Sequence, residues 1–246
     1  MKKPTSMITR RRLIACSVAS GLLLALTGLP SDGFAAENSK LKIGVIGSGN
    51  VGSALGRVWA EAGHEVMFAS RHLDTDKSLA ADVGHRARAG TPEEAAAFGD
   101  VLLLAVPYRA LPELGEKLAG TLKNKIVIDA SNPFPGRDGE IAIRARDKGA
   151  GITSAELLPG ARVVRAFNAI GAASMGDAHK EPGKVGMPMA GNDAKAIEVA
   201  QRLIRDIGYE PVLVGDLTMG RHLMPGTPLA GEHSPAEIKQ IVATLK

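Results

Sequence analysis

Three glycines carry the first chemical expectation. The run Ile43-Gly44-Val45-Ile46-Gly47-Ser48-Gly49-Asn50-Val51-Gly52 spaces Gly47, Gly49 and Gly52 as Gly-x-Gly-x-x-Gly, directly after a β-branched segment and at the start of a helical one. A strand–turn–helix junction of this kind holds phosphate by its backbone. Gly47 permits the tight turn. Gly49 has no Cβ to keep a pyrophosphate away. Gly52 lets the helix pack closely on the sheet. The phosphates then face free N–H groups and the positive end of the helix dipole.

The next position of interest is Phe68-Ala69-Ser70-Arg71-His72, at the end of the second predicted strand. NAD binders usually place a carboxylate there, on the ribose 2′-hydroxyl. This chain has none in that run. Ser70 can donate a hydrogen bond and Arg71 can fork onto a 2′-phosphate. His72 adds a third contact or is simply solvated. The pattern predicts NADP(H) over NAD(H). Two further strand ends follow, Val106-Pro107-Tyr108-Arg109 and Asp129-Ala130-Ser131-Asn132-Pro133. Ligands of open α/β sheets lie outside the carboxyl ends of the strands, so Val106, Pro107, Tyr108 and Asn132 are expected to border the nicotinamide. Tyr108 also reads as an exposed loop aromatic, and Asn132-Pro133 as turn chemistry.

These residues need a scaffold, and from Lys40 onward the chain alternates strand and helix signals. Strands are predicted at 41–46, 64–70, 101–106, 126–129, 162–167, 184–190 and 211–214. Helices are predicted at 51–62, 92–98 after Thr91, 111–122, 193–207 and 235–245 capped by Ser234. Residues 132–139 and 219–232 read as loops. The implied fold is a Rossmann-type, doubly wound α/β sheet, mainly parallel. It divides into a dinucleotide-binding part over 41–160 and a small C-terminal, substrate-side part over 161–246.

Composition narrows the function classes. Aromatics are 3% of the 246 residues, too few for a stacking platform on single-stranded nucleic acid. The formal charge of +4 comes from Lys2, Lys3, Arg10, Arg11 and Arg12 set against Asp32, and the rest of the chain is near neutral. The basic balance therefore implies no nucleic-acid partner. The basic start, Thr9-Arg10-Arg11-Arg12-Leu13-Ile14, an apolar run to about Leu29 and Gly33-Phe34-Ala35-Ala36 resemble a twin-arginine signal peptide over 1–35. It implies export to the periplasm and no stable membrane span after cleavage; a retained anchoring helix is the alternative. Cys16 is the only cysteine, so a cleaved chain has no disulfide or thiol nucleophile.

Six segments together resemble one family: Gly47–Gly52; Gly63-His64-Glu65-Val66; Ser70-Arg71; Ala105-Val106-Pro107-Tyr108; Asp129-Ala130-Ser131-Asn132-Pro133; and Arg165-Ala166-Phe167-Asn168. This is the coenzyme F420-dependent NADP oxidoreductase family, to which the NADP-binding domains of six-transmembrane metalloreductases are related. The resemblance spans residues 41–220. It implies hydride transfer between NADP(H) and a small-molecule redox co-substrate, coenzyme F420 or a flavin, with no obligate side-chain acid or base. By matching positions it assigns Ser48, Asn50 and Val51 to the phosphates and Ser70, Arg71 and His72 to the 2′-phosphate. Val106, Pro107 and Asn132 border the nicotinamide, and Asn168 faces the second ring. A homodimer and a monomer both stay open.

Other readings fare differently. A short-chain dehydrogenase needs Tyr-x-x-x-Lys, but Pro112 and Leu213 stand four residues after Tyr108 and Tyr209. A β-hydroxyacid dehydrogenase or imine reductase needs a long helical second domain, and only about 80 residues follow the first part. His222, Glu232 and His233 are chemically suited to a metal, but their spacing fits no metal motif. A non-catalytic NADP-binding protein and a metalloreductase-like NADPH:flavin or ferric reductase are the alternatives.

Overall fold

The β-branched run after Lys40 becomes strand β1 (Lys42–Ile46), which leads through α1 (Asn50–Glu61) into β2 (Glu65–Ala69). This is a computed structural model, and it describes residues 40–176 and 180–245; the signal segment expected at 1–35 lies outside them. The chain continues as α2 (Leu73–Val83), β3 (Ala87–Gly90), α3 (Pro92–Phe98), β4 (Val101–Leu104), α4 (Leu111–Lys117), α5 (Ala119–Leu122) and β5 (Ile126–Asp129). Then come α6 (Pro135–Asp138), α7 (Glu140–Lys148), α8 (Ala150–Leu157), β6 (Arg162–Arg165), β7 (Gly186–Gly191), α9 (Ala194–Asp206), β8 (Glu210–Gly215) and α10 (Pro235–Thr244). The strands form one eight-stranded sheet in the order β3-β2-β1-β4-β5-β6-β7-β8. Every neighbouring pair is parallel except β6 with β7. This is the doubly wound Rossmann arrangement, with strand order reversing between β1 and β4.

The apolar run of β4 is buried on both faces, as parallel strands covered by helices must be. Val101 and Leu103 point into one core with Ile43, Val45, Trp59 and Phe68. Leu102 and Leu104 point into the other with Tyr108, Leu111 and Val127. Strand β7 pairs with β6 only through Val164↔Gly191 and Arg165↔Ala190. Because the two run antiparallel, the rest of β7 projects past the carboxyl end of β6.

The structure departs from the sequence expectation in several places. Helices α2, α7 and α8 and strand β3 fall where no element was expected. Ala87-Arg88-Ala89-Gly90 has no β-branched residue, and its strand conformation comes from pairing with Val66–Ala69. The helix expected over 111–122 divides at Leu118, whose φ of −101° and ψ of 7° leave the helical region. The stretch expected as a loop at 132–139 contains α6, held by the buried Asp138 carboxylate described below.

Candidate nucleotide site

The turn after β1 sits between the ends of its two neighbours. Gly47 donates its N–H to the Ala69 carbonyl at 2.8 Å. It has φ +101°, and a Cβ there would stand 2.3 Å from the Ala105 carbonyl oxygen. Gly52 is as constrained: its Cβ would lie 2.0 Å from the Gly47 carbonyl oxygen. It thus packs the helix onto the turn itself. Gly49 is different. A Cβ added there meets no atom within 4 Å, and its φ of −69° suits any residue. Helix α1 starts at this point with no side-chain cap and no acidic residue in its first turn. The first helix-type bond runs from Ser53 N–H to the Gly49 carbonyl, so the N–H groups of Asn50, Val51 and Gly52 have no acceptor within the helix. Backbone donors, the helix dipole and the bare Gly49 have the chemistry that holding an anion requires.

At the end of β2, Arg71 and His72 are exposed. Arg71 makes no hydrogen bond or ion pair among the described residues, which suits a guanidinium that meets an external anion. Ser70 departs from expectation. Its hydroxyl donates to Asp76 at 2.8 Å and accepts from His72 N–H at 3.0 Å. Ser48, in the Gly-rich loop, donates to the other oxygen of the same carboxylate. Asp76 is fully buried. Sequence reasoning passed over it, because no element was expected over 73–83 and a lone Asp in such a stretch reads as a solvated surface acid.

The ends of β4, β5 and β6 supply the remaining positions. Val106 and Pro107 are half-buried beside the turn. Tyr108, expected to border the cleft, instead turns into the core. It is fully buried, and its hydroxyl is 3.0 Å from both the Ala150 carbonyl and Ser154 Oγ. Burial, followed by the Asp129 charge, pushes its pKa up to about 12. The physical reason is the short 3₁₀ turn Tyr108–Ala110 after Pro107, which directs the ring onto α8 rather than outward.

Asn132 and Asn168 are brought together. Asn132 Nδ2 donates to the Asn168 carbonyl at 2.8 Å, and Asn168 Nδ2 donates to the Ser131 carbonyl at 3.3 Å. Both Oδ1 atoms are buried and without a partner, so two acceptors at the carboxyl ends of β5 and β6 lack donors. Asn168 reaches this place because Phe167 adopts φ +68°, a left-handed conformation unusual for a bulky residue. Edge-on rings hold Phe167 there, Trp59 at 5.8 Å and Tyr209 at 6.5 Å.

A buried ion pair lies behind these asparagines. Arg165 Nη1 contacts Asp129 Oδ2 at 2.6 Å, with both side chains fully buried. Asp129 Oδ1 accepts from Ser131 N–H at 2.9 Å, and Arg165 also donates to the Ser131 and Leu223 carbonyls. The pair therefore fixes the turn carrying Asn132 and ties residues 217–223 to it. Asp138 anchors the other side of that turn by accepting from Phe134 N–H, Arg109 N–H and Arg137. Burial raises its pKa, but the Arg137 bonds and the two backbone donors outweigh burial and hold the carboxyl below the usual range. Arg137 also donates to the Asn132 carbonyl at 2.8 Å. Among the described residues no cluster of three His, Cys, Asp or Glu could hold a metal ion.

Comparison with known proteins decides the family. Residues 42–133 match the family described as NADP oxidoreductase, coenzyme F420-dependent. Over 203 residues the chain is 32% identical to the F420-dependent NADP reductase of Methanothermobacter thermautotrophicus, covering 77% of this chain and 87% of that protein. The chain belongs to the coenzyme F420-dependent NADP oxidoreductase family. As a member, it is an oxidoreductase of the NADP-dependent class. A crystal structure of a hypothetical protein from Sinorhizobium meliloti is similar, with TM-score 0.65, 27% identity, and coverage of 79% of this chain and 95% of that one. A putative F420-dependent NADP reductase from an Arthrobacter species shares the fold, with TM-score 0.62, 24% identity and coverage of 74% and 87%.

Proposed function

We propose that this chain binds NADP(H) along the carboxyl ends of β1, β2, β4 and β5 and exchanges a hydride with a deazaflavin of the coenzyme F420 type. The observation that carries the reading is the uncapped start of α1 at Gly49, where nothing of the protein stands within 4 Å of a Cβ position. When bound, the nicotinamide supplies or accepts the hydride and the deazaflavin is its counterpart. The backbone N–H groups of Asn50, Val51 and Gly52 hold the pyrophosphate, and Arg71 meets the 2′-phosphate. The unpartnered Oδ1 atoms of Asn132 and Asn168 are buried, so they take an N–H donor, such as a carboxamide or a deazaflavin ring N–H, once the side chains turn toward the rings.

The side chains near these strand ends are committed elsewhere. The Tyr108 hydroxyl is bonded to Ala150 and Ser154, and the Asp129 carboxylate to Arg165 and Ser131. Ring-to-ring hydride transfer needs neither as an acid or base, whereas ketone or imine reduction needs a proton donor. NADPH carrying deuterium on one face of C4 is therefore expected to pass its label directly to a deazaflavin acceptor. A Tyr108→Phe variant should keep that rate within about tenfold, far from the hundredfold or more that loss of a general acid brings. Binding of NADPH without label transfer would point to a non-catalytic NADP-binding protein. Turnover of a simple ketone would redirect the substrate class.

Arg71 gives the matching test of cofactor choice. Loss of a charge-assisted contact costs about 1.5–3 kcal/mol. Calorimetric titration of Arg71→Ala is expected to show NADPH weakened by about tenfold or more and NADH nearly unchanged. Unaltered NADPH affinity would remove the 2′-phosphate assignment.

A further inference from the structure

Asp76 lies at the junction of the two loops that the proposed function assigns to the nucleotide. Its side chain, in the first turn of α2, is fully buried. One oxygen takes the hydroxyl of Ser48 from the Gly-rich loop, and the other takes that of Ser70 from the end of β2. A carboxylate only accepts hydrogen bonds, and a serine has a single proton to give. Both serines therefore spend their protons inward. The Ser70 oxygen also accepts from His72 N–H, which occupies a backbone donor of the same loop.

This polarity matters for what the loops can recognise. A phosphate monoester offers acceptors and negative charge, so it needs donors. A ribose 2′-hydroxyl can supply its own proton to a serine lone pair. We infer that Asp76 is a specificity-determining residue that holds down the preference for NADPH over NADH. It withdraws the Ser70 proton from a 2′-phosphate and sets a buried carboxylate, poorly screened by salt, one hydrogen bond behind that serine. Preference for the phosphorylated cofactor then rests on Arg71, with His72 beside it, and not on Ser70. The inference rests on the proposed nucleotide site.

Asp76→Asn is the decisive substitution because it preserves shape. Its amide nitrogen donates to one serine and frees that hydroxyl to donate outward, while the carboxylate charge is gone. Calorimetric titration is expected to show NADPH binding about tenfold tighter and NADH within about threefold of the unsubstituted protein. The same widening is expected with 2′,5′-ADP against 5′-ADP, two probes without a nicotinamide. In Asp76→Asn with Ser70→Ala the gain should shrink to the part that comes from the lost charge, because the freed Ser70 donor is missing. Ser70→Ala alone should leave NADPH no weaker than NADH, since the Ser70 proton already belongs to Asp76 and only a 2′-hydroxyl loses the serine lone pair. This variant keeps the idea testable if Asp76→Asn fails to fold. An unchanged NADPH-to-NADH ratio in folded Asp76→Asn overturns the inference, as does a selective loss of NADPH in Ser70→Ala. Arg71→Ala separates the two levels. If it weakens NADPH while Asp76→Asn leaves the ratio alone, only the inference falls. If it leaves NADPH untouched, the 2′-phosphate assignment fails and the inference with it.

Discussion

Gly49→Val is expected to lose about a hundredfold or more in affinity for both NADPH and NADH, with the chain still folded. A pyrophosphate held by at least two backbone N–H groups gains about 1.5–3 kcal/mol from each charge-assisted bond. A branched side chain at the start of α1 stands in the path of those bonds. The same side chain costs the protein little, because a Cβ at Gly49 meets no atom within 4 Å and its backbone is compatible with any residue. The neighbouring glycines behave differently. At Gly47 and Gly52 a Cβ would stand 2.3 Å and 2.0 Å from a backbone carbonyl oxygen, so alanine there disturbs the turn as well as the ligand. Titration beside far-ultraviolet circular dichroism checks the contrast. Normal NADPH binding by folded Gly49→Val would show that phosphate does not sit on this turn.

Arg165→Met is expected to lower stability by about 3–5 kcal/mol, the cost of leaving a buried charge without its partner. For a domain of this size that is a fall in Tm on the order of 10 °C. Arg165 spans three parts of the molecule, contacting Asp129 on β5, the Ser131 carbonyl beside Asn132 and the Leu223 carbonyl of the C-terminal segment. Methionine keeps the volume and strands the carboxylate. Adding Asp129→Asn to Arg165→Met should recover part of the loss, because the remaining group is then neutral. Urea unfolding midpoints of the three proteins, read at unchanged slope, measure this. A loss below about 1 kcal/mol in Arg165→Met would mean that the pair is solvated and does not hold the site together.

What the sequence by itself determined is local. Gly47, Gly49 and Gly52 are legible because each answers a backbone requirement within six residues, and a turn, a helix start and a close approach need nothing distant to be recognised. The same holds for Thr91 and Ser234, whose capping boxes with Glu94 and Glu237 form as their spacing implies. The continuous apolar run at Val101 declared a doubly covered strand, and with it the parallel, doubly wound sheet. With no Asp or Glu over 68–72, Arg71 is the cation at that strand end, and it is exposed.

The tertiary structure alone decided which polar groups were already spent. Tyr108 and Ser70 look like donors in the sequence, yet each hydroxyl is taken by a group at a distance, Ala150 and Ser154 for the first and Asp76 for the second. Asp76 reaches Ser48 across 28 positions and Arg165 reaches Asp129 across 36. No periodicity encodes such pairings, because they follow from parallel strands placing their carboxyl ends side by side. Phe167 shows the same limit in the backbone. Its positive φ is tolerated because Trp59 and Tyr209, remote in sequence, pack its ring from two sides. That packing turns Asn168 back toward Asn132.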